Sequence, residues 1–381
     1  METFDIVVAG AGTSGIIAAL TAAHAGKRVA LVESTDRLGG AAIYGLHRFV
    51  CGLFLSDGSQ PGDPLAGPMT VDFCSLLAGG RIADKAVRRG RVWVLPFGGG
   101  ATFETCAERR IARETKIRVC RCDSVERVSL SNGRIAELTL ASGGTLRTDA
   151  VVDCTGTAAV CRLCGSDVVW PENPALAGYG FEVEGVDEKA AGPLGLAIDV
   201  PMSLRQAVSK GELPFCLSLT TYETRNEPGR AWVKMAVPAT SSVSAKGWAE
   251  DVFSVLKAAS PAFRDARILS FLSRVLPRES CHLRGKYILT AEDVLQARTF
   301  ADGVVKNAWP LESWDAVRGV SYRYLPMGQS HMIPLRCLQP MSGPSNLLCA
   351  GMAISAEPFA SASIRSMGVC MSLGEVAALQ L

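Results

Sequence analysis

The sequence predicts an α/β protein: a three-layer, Rossmann-like dinucleotide-binding domain with an antiparallel meander, joined to a second, α+β substrate domain. Three observations predict it. A short β-branched run at 4–9 empties into Gly10-Ala11-Gly12-Thr13-Ser14-Gly15 and then into a run of helix formers. After residue 117, short strand-like segments are separated by Asn132-Gly133 and Gly143-Gly144, dipeptides that supply the positive φ of tight hairpins. Between 166 and 335 the alternation of strand and helix is lost, and it resumes near Asn346.

Each element follows in order. Phe4 to Ala9 reads as a strand buried on both faces, and residues 14–25 as a helix punctuated by Gly26. Val29 to Val32 is a second buried strand ending at Glu33, which completes a βαβ unit. The loop Glu33-Ser34-Thr35-Asp36-Arg37-Leu38-Gly39-Gly40 then leads into a Gly- and Pro-rich excursion over about 46–100, with one helix near Val71 to Leu77. Residues 101–115 read as a helix and Ile117 to Cys120 as a strand. The meander is expected over Ser124 to Leu130, Arg134 to Leu140 and Thr145 to Asp149, and a separate buried strand, 150–154, enters Thr155-Gly156. The second domain mixes strands such as Trp232 to Val237 with helices such as Ala249 to Ala258. Asn346 to Ala350 is the last core strand, ended by Gly351, and Ser361 to Leu381 is one closing helix. The expected domains are 1–165, 166–335 and a C-terminal return to the first domain over 336–381.

Composition narrows the function classes. The 381 residues are 48% apolar and 20% charged, and 39 Lys+Arg against 37 Asp+Glu leave a net charge of +2. Such a chain buries a large core and offers no polyelectrolyte surface to nucleic acid or an anionic membrane. Thirteen cysteines, an odd number at irregular spacing, read as reduced thiols of a cytoplasmic protein rather than a disulfide scaffold. Residues 6–26 carry no Asp, Glu, Lys or Arg, but Gly10, Gly12 and Gly15 interrupt them and an acidic segment precedes them, so neither a signal peptide nor a membrane span is expected.

The glycine pattern follows a strand, opens a helix and is paired with an acid 18 residues after its last glycine. Gly10 makes the turn, Gly12 lets a pyrophosphate approach the backbone, and Gly15 lets helix and strand pack closely. The helix N-terminus at Thr13 and Ser14 offers N–H groups to phosphates, and Glu33 would accept the ribose hydroxyls. With Glu33, Arg37, Gly39 and Gly40, the meander before Thr155-Gly156 and the strand end Ala350-Gly351, this resembles the glutathione-reductase-type FAD-binding fold. More narrowly it resembles the family of FAD-dependent oxidoreductases with a single dinucleotide site. Members read like VVDATGDG and NLLVAGRCIS where this chain has 151–157 and 346–355, and Arg365, Met367, Cys370, Met371, Leu373 and Gly374 follow their closing pattern. Pro277-Arg278, Arg284-Gly285 and 289–295 match as well, whereas Thr157-Ala158 replaces the usual Asp-Gly.

The resemblance implies FAD stretched from Glu33 and Ser34 across Gly12, bordered by the loop residues Arg37, Gly39, Gly40 and Ala41, by Thr155, Gly156 and Gly351, and by the backbone of Val125 at the adenine. It also implies a helix beginning near Ser363 and Ile364 that aims its N–H groups at flavin N1 and O2, with Arg365 assisting. No second GxGxxG with an acid partner is present, which argues against an integral NAD(P)H site. Cys161-Arg162-Leu163-Cys164 reads as helix packing, and no closely spaced ligand set suggests a metal. Acid–base chemistry falls to four histidines. His24 and His282 show no sign of chemistry; His331, in a stretch similar to the family's IPYR loop, is the expected base, and His47 is the second candidate. Arg336, with Arg48, Tyr322 and Arg323, is a candidate clamp for a small-molecule substrate, and Trp309 and Trp314 read as core or rim. The expected reaction is hydride transfer between a small organic substrate and flavin N5, the electron acceptor being open. Reduction of an activated double bond and a non-catalytic flavin-holding scaffold are the alternatives.

Overall fold

The computed structural model describes residues 2–225, 227–239 and 242–381. Its central sheet contains β1 (Glu2–Ala9), β2 (Val29–Glu33), β3 (Ile117–Arg121), β4 (Val125–Ser131), β5 (Arg134–Leu140) and β6 (Thr145–Asp153) in the spatial order 3-2-1-6-5-4. Strands β3, β2, β1 and β6 run parallel, which is the Rossmann-like half, and β4, β5 and β6 form the antiparallel meander. The last meander strand and the returning buried strand are therefore one element, not two. Its first half alternates in burial and pairs with β5, while its second half is buried on both faces.

Helix α1 (Thr13–His24) packs beneath this sheet with ten of its twelve residues buried. The excursion carries α2 (Pro68–Ala78) and a small sheet of Phe49–Val50, Val92–Pro96 and Val87–Arg89, and α3 (Gly100–Ala112) returns the chain to the core. The buried Glu375 carboxylate caps α2, accepting from the backbone N–H groups of Met69 (3.0 Å) and Thr70 (2.9 Å) and from the Thr70 hydroxyl (2.6 Å). A short helix, α4 (Ala159–Leu163), follows β6.

A second antiparallel sheet contains β7 (Ala177–Glu184), β8 (Thr221–Thr224), β9 (Ala231–Val237) and β10 (Arg267–Phe271) in the order 8-9-7-10. Helices α5 (Leu196–Ser209) and α6 (Ser242–Ala259) contribute to its own core, in which Phe181, Val233, Leu204, Val252 and Phe263 are buried. That core is narrower than 166–335: Cys281, Leu283, Leu311, Leu325 and Ile333 pack into the first core. Here β11 (Gly303–Asn307) pairs with β14 (His331–Pro334), and β12 (Leu311–Asp315) forms a hairpin with β13 (Gly319–Arg323). Strand β15 (Leu347–Cys349) lies parallel to β6.

The chain does not close with a single helix. α7 (Pro358–Ile364) stops, Ser366 takes extended backbone (φ −62°, ψ 146°), and α8 (Met367–Leu379) starts afresh. Arg365 fixes the break by donating to the carbonyls of Glu312 (2.7 Å) and Arg278 (3.4 Å). Among the described residues no helix is long and apolar enough to cross a membrane.

Candidate functional site

Three glycines of the first turn serve different purposes. A Cβ on Gly10, at φ +93°, would lie 2.6 Å from the Cys154 carbonyl oxygen, and one on Gly15 would lie 1.8 Å from the Gly10 oxygen. Both positions need glycine for the chain's own packing. Gly12 has ordinary backbone (φ −70°), and its Cβ would meet no protein atom within 4 Å. The space it leaves belongs to a cavity of about 560 Å³ that runs from Glu33 to Arg274, Leu276 and Arg278 on the segment after β10. Thr13 and Ser14 border the same space at the α1 N-terminus, which no side chain caps. Gly40 and Gly351 close around it.

At one end, Glu33 is buried and lines the cavity with Ser34, Val125 and Asp123. Its Oε2 accepts from the Ala11 N–H at 2.8 Å, and its Oε1 from the N–H and hydroxyl of Thr35, each at 2.9 Å, and from Ser34 Oγ at 3.3 Å. The carboxylate therefore holds the 33–35 turn against the glycine loop and keeps an acceptor position on Oε2. Thr155 and Gly156 face the cavity beside it, the threonine hydroxyl tied to Asp153 Oδ1 at 2.6 Å.

At the other end Ala41, Tyr44, His47, Trp309, Glu312, Arg274, Arg278 and Arg365 meet the N-terminus of α8. Among the described residues no side chain caps that helix, and the buried Ser366 hydroxyl has no partner. The His47 ring is open to the cavity and makes no hydrogen bond among the described residues. A Cβ on Gly45 would come within 2.5 Å of it, so glycine there makes room for the ring. The ring itself is exposed to the cavity, and desolvation by the surrounding cavity walls, then the positive charges of Lys234, Arg278 and Arg365, lower His47 to about 4, which keeps it neutral at ordinary pH.

The remaining expected site residues lie elsewhere. Arg37 and Gly39 do not line the cavity: Arg37 is committed to Glu104 through two contacts (2.7 and 2.6 Å), and Gly39 forms a bridge to Gly12 behind the loop. Ser363 and Ile364 are buried within α7, whereas the helix start that faces the cavity is at Ser366-Met367. Ser363 Oγ donates to the Trp309 carbonyl and accepts from Asn307 Nδ2 at 2.9 Å. His331 does not line the cavity. It is fully buried behind this wall, where its neutral Nδ1–H tautomer donates to the Met332 carbonyl (3.4 Å) and Nε2 accepts from Asn307 (3.1 Å). Burial lowers it to about 4. Arg336 is a surface residue paired with Asp302 at 2.9 and 3.1 Å. Arg48 pairs with Glu223, Tyr322 stacks on Tyr324, and Arg323 lies over Phe359, all outside the cavity lining.

Arg274, Arg278 and Glu312 carry no role in the sequence expectations, and Trp309, expected at core or rim, lines the cavity. The pair Pro277-Arg278 was the one local signal. The cysteines of the CxxC are poor nucleophiles: Cys161 is buried, and its thiol and that of Cys164 are pushed up, the latter to about 12 by burial.

A glycine gap without a packing reason, two uncapped helix N-termini and an unpartnered buried hydroxyl around one elongated cavity fit FAD. The fold is also found in known structures. The chain is similar to the Diels-Alderase PyrE3 of the pyrroindomycin biosynthetic pathway, at 13% identity and a TM-score of 0.50, covering 97% of this chain and 63% of that one. It is similar to AlpK, at 15% identity and a TM-score of 0.50, covering 99% and 61%. L-proline dehydrogenase from P. horikoshii aligns at 11% identity and a TM-score of 0.49, over 99% and 92%. The chain thus spans about three-fifths of the first two proteins, and at these identities the likeness is one of fold. A search of curated proteins gives no significant match. The family model for FAD dependent oxidoreductases, however, matches residues 5–380. On that match over nearly the whole chain, the protein belongs to the FAD-dependent oxidoreductase family, with FAD as its cofactor.

Proposed function

We propose that this chain is a dehydrogenase or oxidase acting on a C–H bond of a small organic substrate, with FAD held in the glutathione-reductase-type manner. FAD when bound supplies the hydride acceptor. In this reading Glu33 and Val125 hold the adenosine, and the backbone at Gly12, Thr13 and Ser14 holds the pyrophosphate. The α8 N-terminus and Arg365 offer positive potential to negative charge at the far end. Trp309 and Leu276 wall that end against water.

The observation that carries the proposal is His47, an unpartnered neutral imidazole open to the cavity at the end opposite Glu33. Hydride leaves carbon readily when a neighbouring O–H or N–H proton is taken up, and His47 has a free ring nitrogen for it. It takes the place of His331, which is sealed away from the cavity. Anaerobic stopped-flow reduction by candidate substrates tests this. His47→Ala should keep its FAD and be reduced roughly 10²–10⁴-fold more slowly, the span that general-base catalysis supplies. An unchanged rate removes His47 from the reaction.

A further inference from the structure

Charge is distributed unevenly along the cavity. Glu33 and Asp123 line one end; at the other, Arg274, Arg278 and Arg365 face one carboxylate, Glu312. Glu312 acts by its charge on Arg278 and Arg365, while its Oε1 accepts from Trp314 Nε1 at 2.7 Å and its Oε2 from Trp309 Nε1 at 3.2 Å. Among the described residues no ion pair joins any of these three arginines to a carboxylate. Three cations against one carboxylate leave an excess of positive charge, and for the partly buried Arg278 and Arg365 that excess is a cost which an incoming anion offsets.

Two of the arginines are held as clamps. Arg274 stacks on Tyr44 with its guanidinium 3.8 Å from the ring centre, and Arg278 stacks on Trp314 at the same distance. Stacking fixes each guanidinium plane and leaves its N–H edge available. Arg278 spends one N–H on the Leu176 carbonyl (2.7 Å), and its remaining donors adjoin the cavity. Both residues lie on the segment after β10, at the end of the cavity where Arg274 reaches the loop that carries Tyr44 and His47. This separates them from the phosphate cradle at Gly12, and Arg278 acts directly on the charge state of His47.

We infer that the substrate is a small carboxylate, gripped by Arg274 and Arg278 so that its reacting carbon and an adjacent O–H or N–H lie toward His47. The inference rests on the proposed function for the direction of the reaction, but not for binding. Burial and the charge of Arg365 lower Arg278 to about 9, an effect that the Glu312 carboxylate only partly offsets. A bound carboxylate also offsets the positive field on His47 and makes it a better proton acceptor.

Ligand binding to the FAD-loaded protein tests this without turnover, read as a perturbation of the flavin absorbance. Acetate, benzoate and oxalate are the probes, and benzamide is the uncharged match for benzoate. Benzoate should bind at least about tenfold more tightly than benzamide and weaken with added salt. Arg274→Met and Arg278→Met should each lose about tenfold or more in benzoate affinity with FAD content unchanged, and Arg278→Lys should fall between. Arg274 is the more exposed of the two, so its variant keeps the test alive where Arg278→Met fails to fold. Equal affinity for benzamide and benzoate overturns the inference. So does an unaltered affinity in the methionine variants, or no response to any of the three carboxylates up to roughly 10 mM. Charge discrimination that persists while no substrate reduces the flavin would instead count against the proposed reaction alone.

Discussion

Gly12→Ala separates a glycine needed by the ligand from one needed by the chain. At φ −70° and ψ −172° alanine is unstrained, and its methyl would meet no protein atom within 4 Å. Apo stability then changes through two small terms. Reduced freedom of the unfolded chain contributes about 0.4–1 kcal/mol, and alanine is poorer than glycine at an N-cap by a comparable amount. The sum stays within about 1 kcal/mol. The methyl does project into the volume proposed for the pyrophosphate, where overpacking costs about 1–3 kcal/mol, or about 5- to 150-fold in FAD affinity. Gly15→Ala is the control, because its Cβ would lie 1.8 Å from the Gly10 oxygen and the apoprotein itself should fail. Thermal unfolding of the apoproteins and fluorescence titration with FAD measure the two quantities separately. Native FAD affinity in Gly12→Ala, or an apoprotein as damaged as that of Gly15→Ala, would refute the assignment of that space to the cofactor.

The pH dependence of stability should carry the signature of His331. Its folded value of about 4 lies below the ordinary 6.5, so the unfolded chain binds the proton first as pH falls; about 3 kcal/mol of stability, intact above 6.5, is lost by about pH 4. Denaturant unfolding at several pH values should show this loss in the wild type and less of it in His331→Gln, which keeps an acceptor for Asn307. In the kinetic profile, a neutral His47 is competent above about 4, so kcat/KM should be level from pH 5 to 8 and fall below that; a midpoint near 6.5 would contradict the lowering of His47 by desolvation and by the neighbouring cations. The Cys161→Ala, Cys164→Ala double variant should retain FAD and turnover while losing roughly 0.5–3 kcal/mol of stability, as judged by urea unfolding. NADH and NADPH at micromolar concentration should not bleach the flavin rapidly in stopped flow, and fast bleaching would show a nicotinamide site that the single glycine motif does not provide.

Much of the fold was legible because its signals are local. Gly10, Gly12 and Gly15 sit between a two-sided buried strand and a helix of small residues, so turn chemistry and periodicity agree, and the structure places Glu33 beside them. The two errors of segmentation have one cause each. β6 changes from one-sided to two-sided burial near Asp149, and a change of pattern reads as a change of element. The break between α7 and α8 contains neither glycine nor proline; it is set by Arg365 reaching the carbonyls of Arg278 and Glu312, contacts 87 and 53 residues away. No window of sequence contains that information.

The far end of the cavity was hidden for the same reason, and the two histidines make the point best. His331 and His47 have the same chemistry, and both lie near segments that the resemblance brings to the flavin. What separates them is a wall: Asn307 accepts from the Trp309 N–H at 2.8 Å while its amide nitrogen faces His331 Nε2 and Ser363 Oγ. His331 therefore sits behind the residues that position Trp309, and Trp309 in turn holds Glu312. Its neutral ring stabilises the wall and does not touch what lies in front of it. His47 owes its opposite placement to Gly45, whose missing side chain admits the ring, and to cations contributed by the second sheet, by the segment after β10 and by the α7–α8 break. The electrostatic character of that end is assembled from Lys234, Arg278 and Arg365. Each is unremarkable in its own stretch of sequence, and they acquire a common field only when β9, the segment after β10 and the α7–α8 break are brought together around His47.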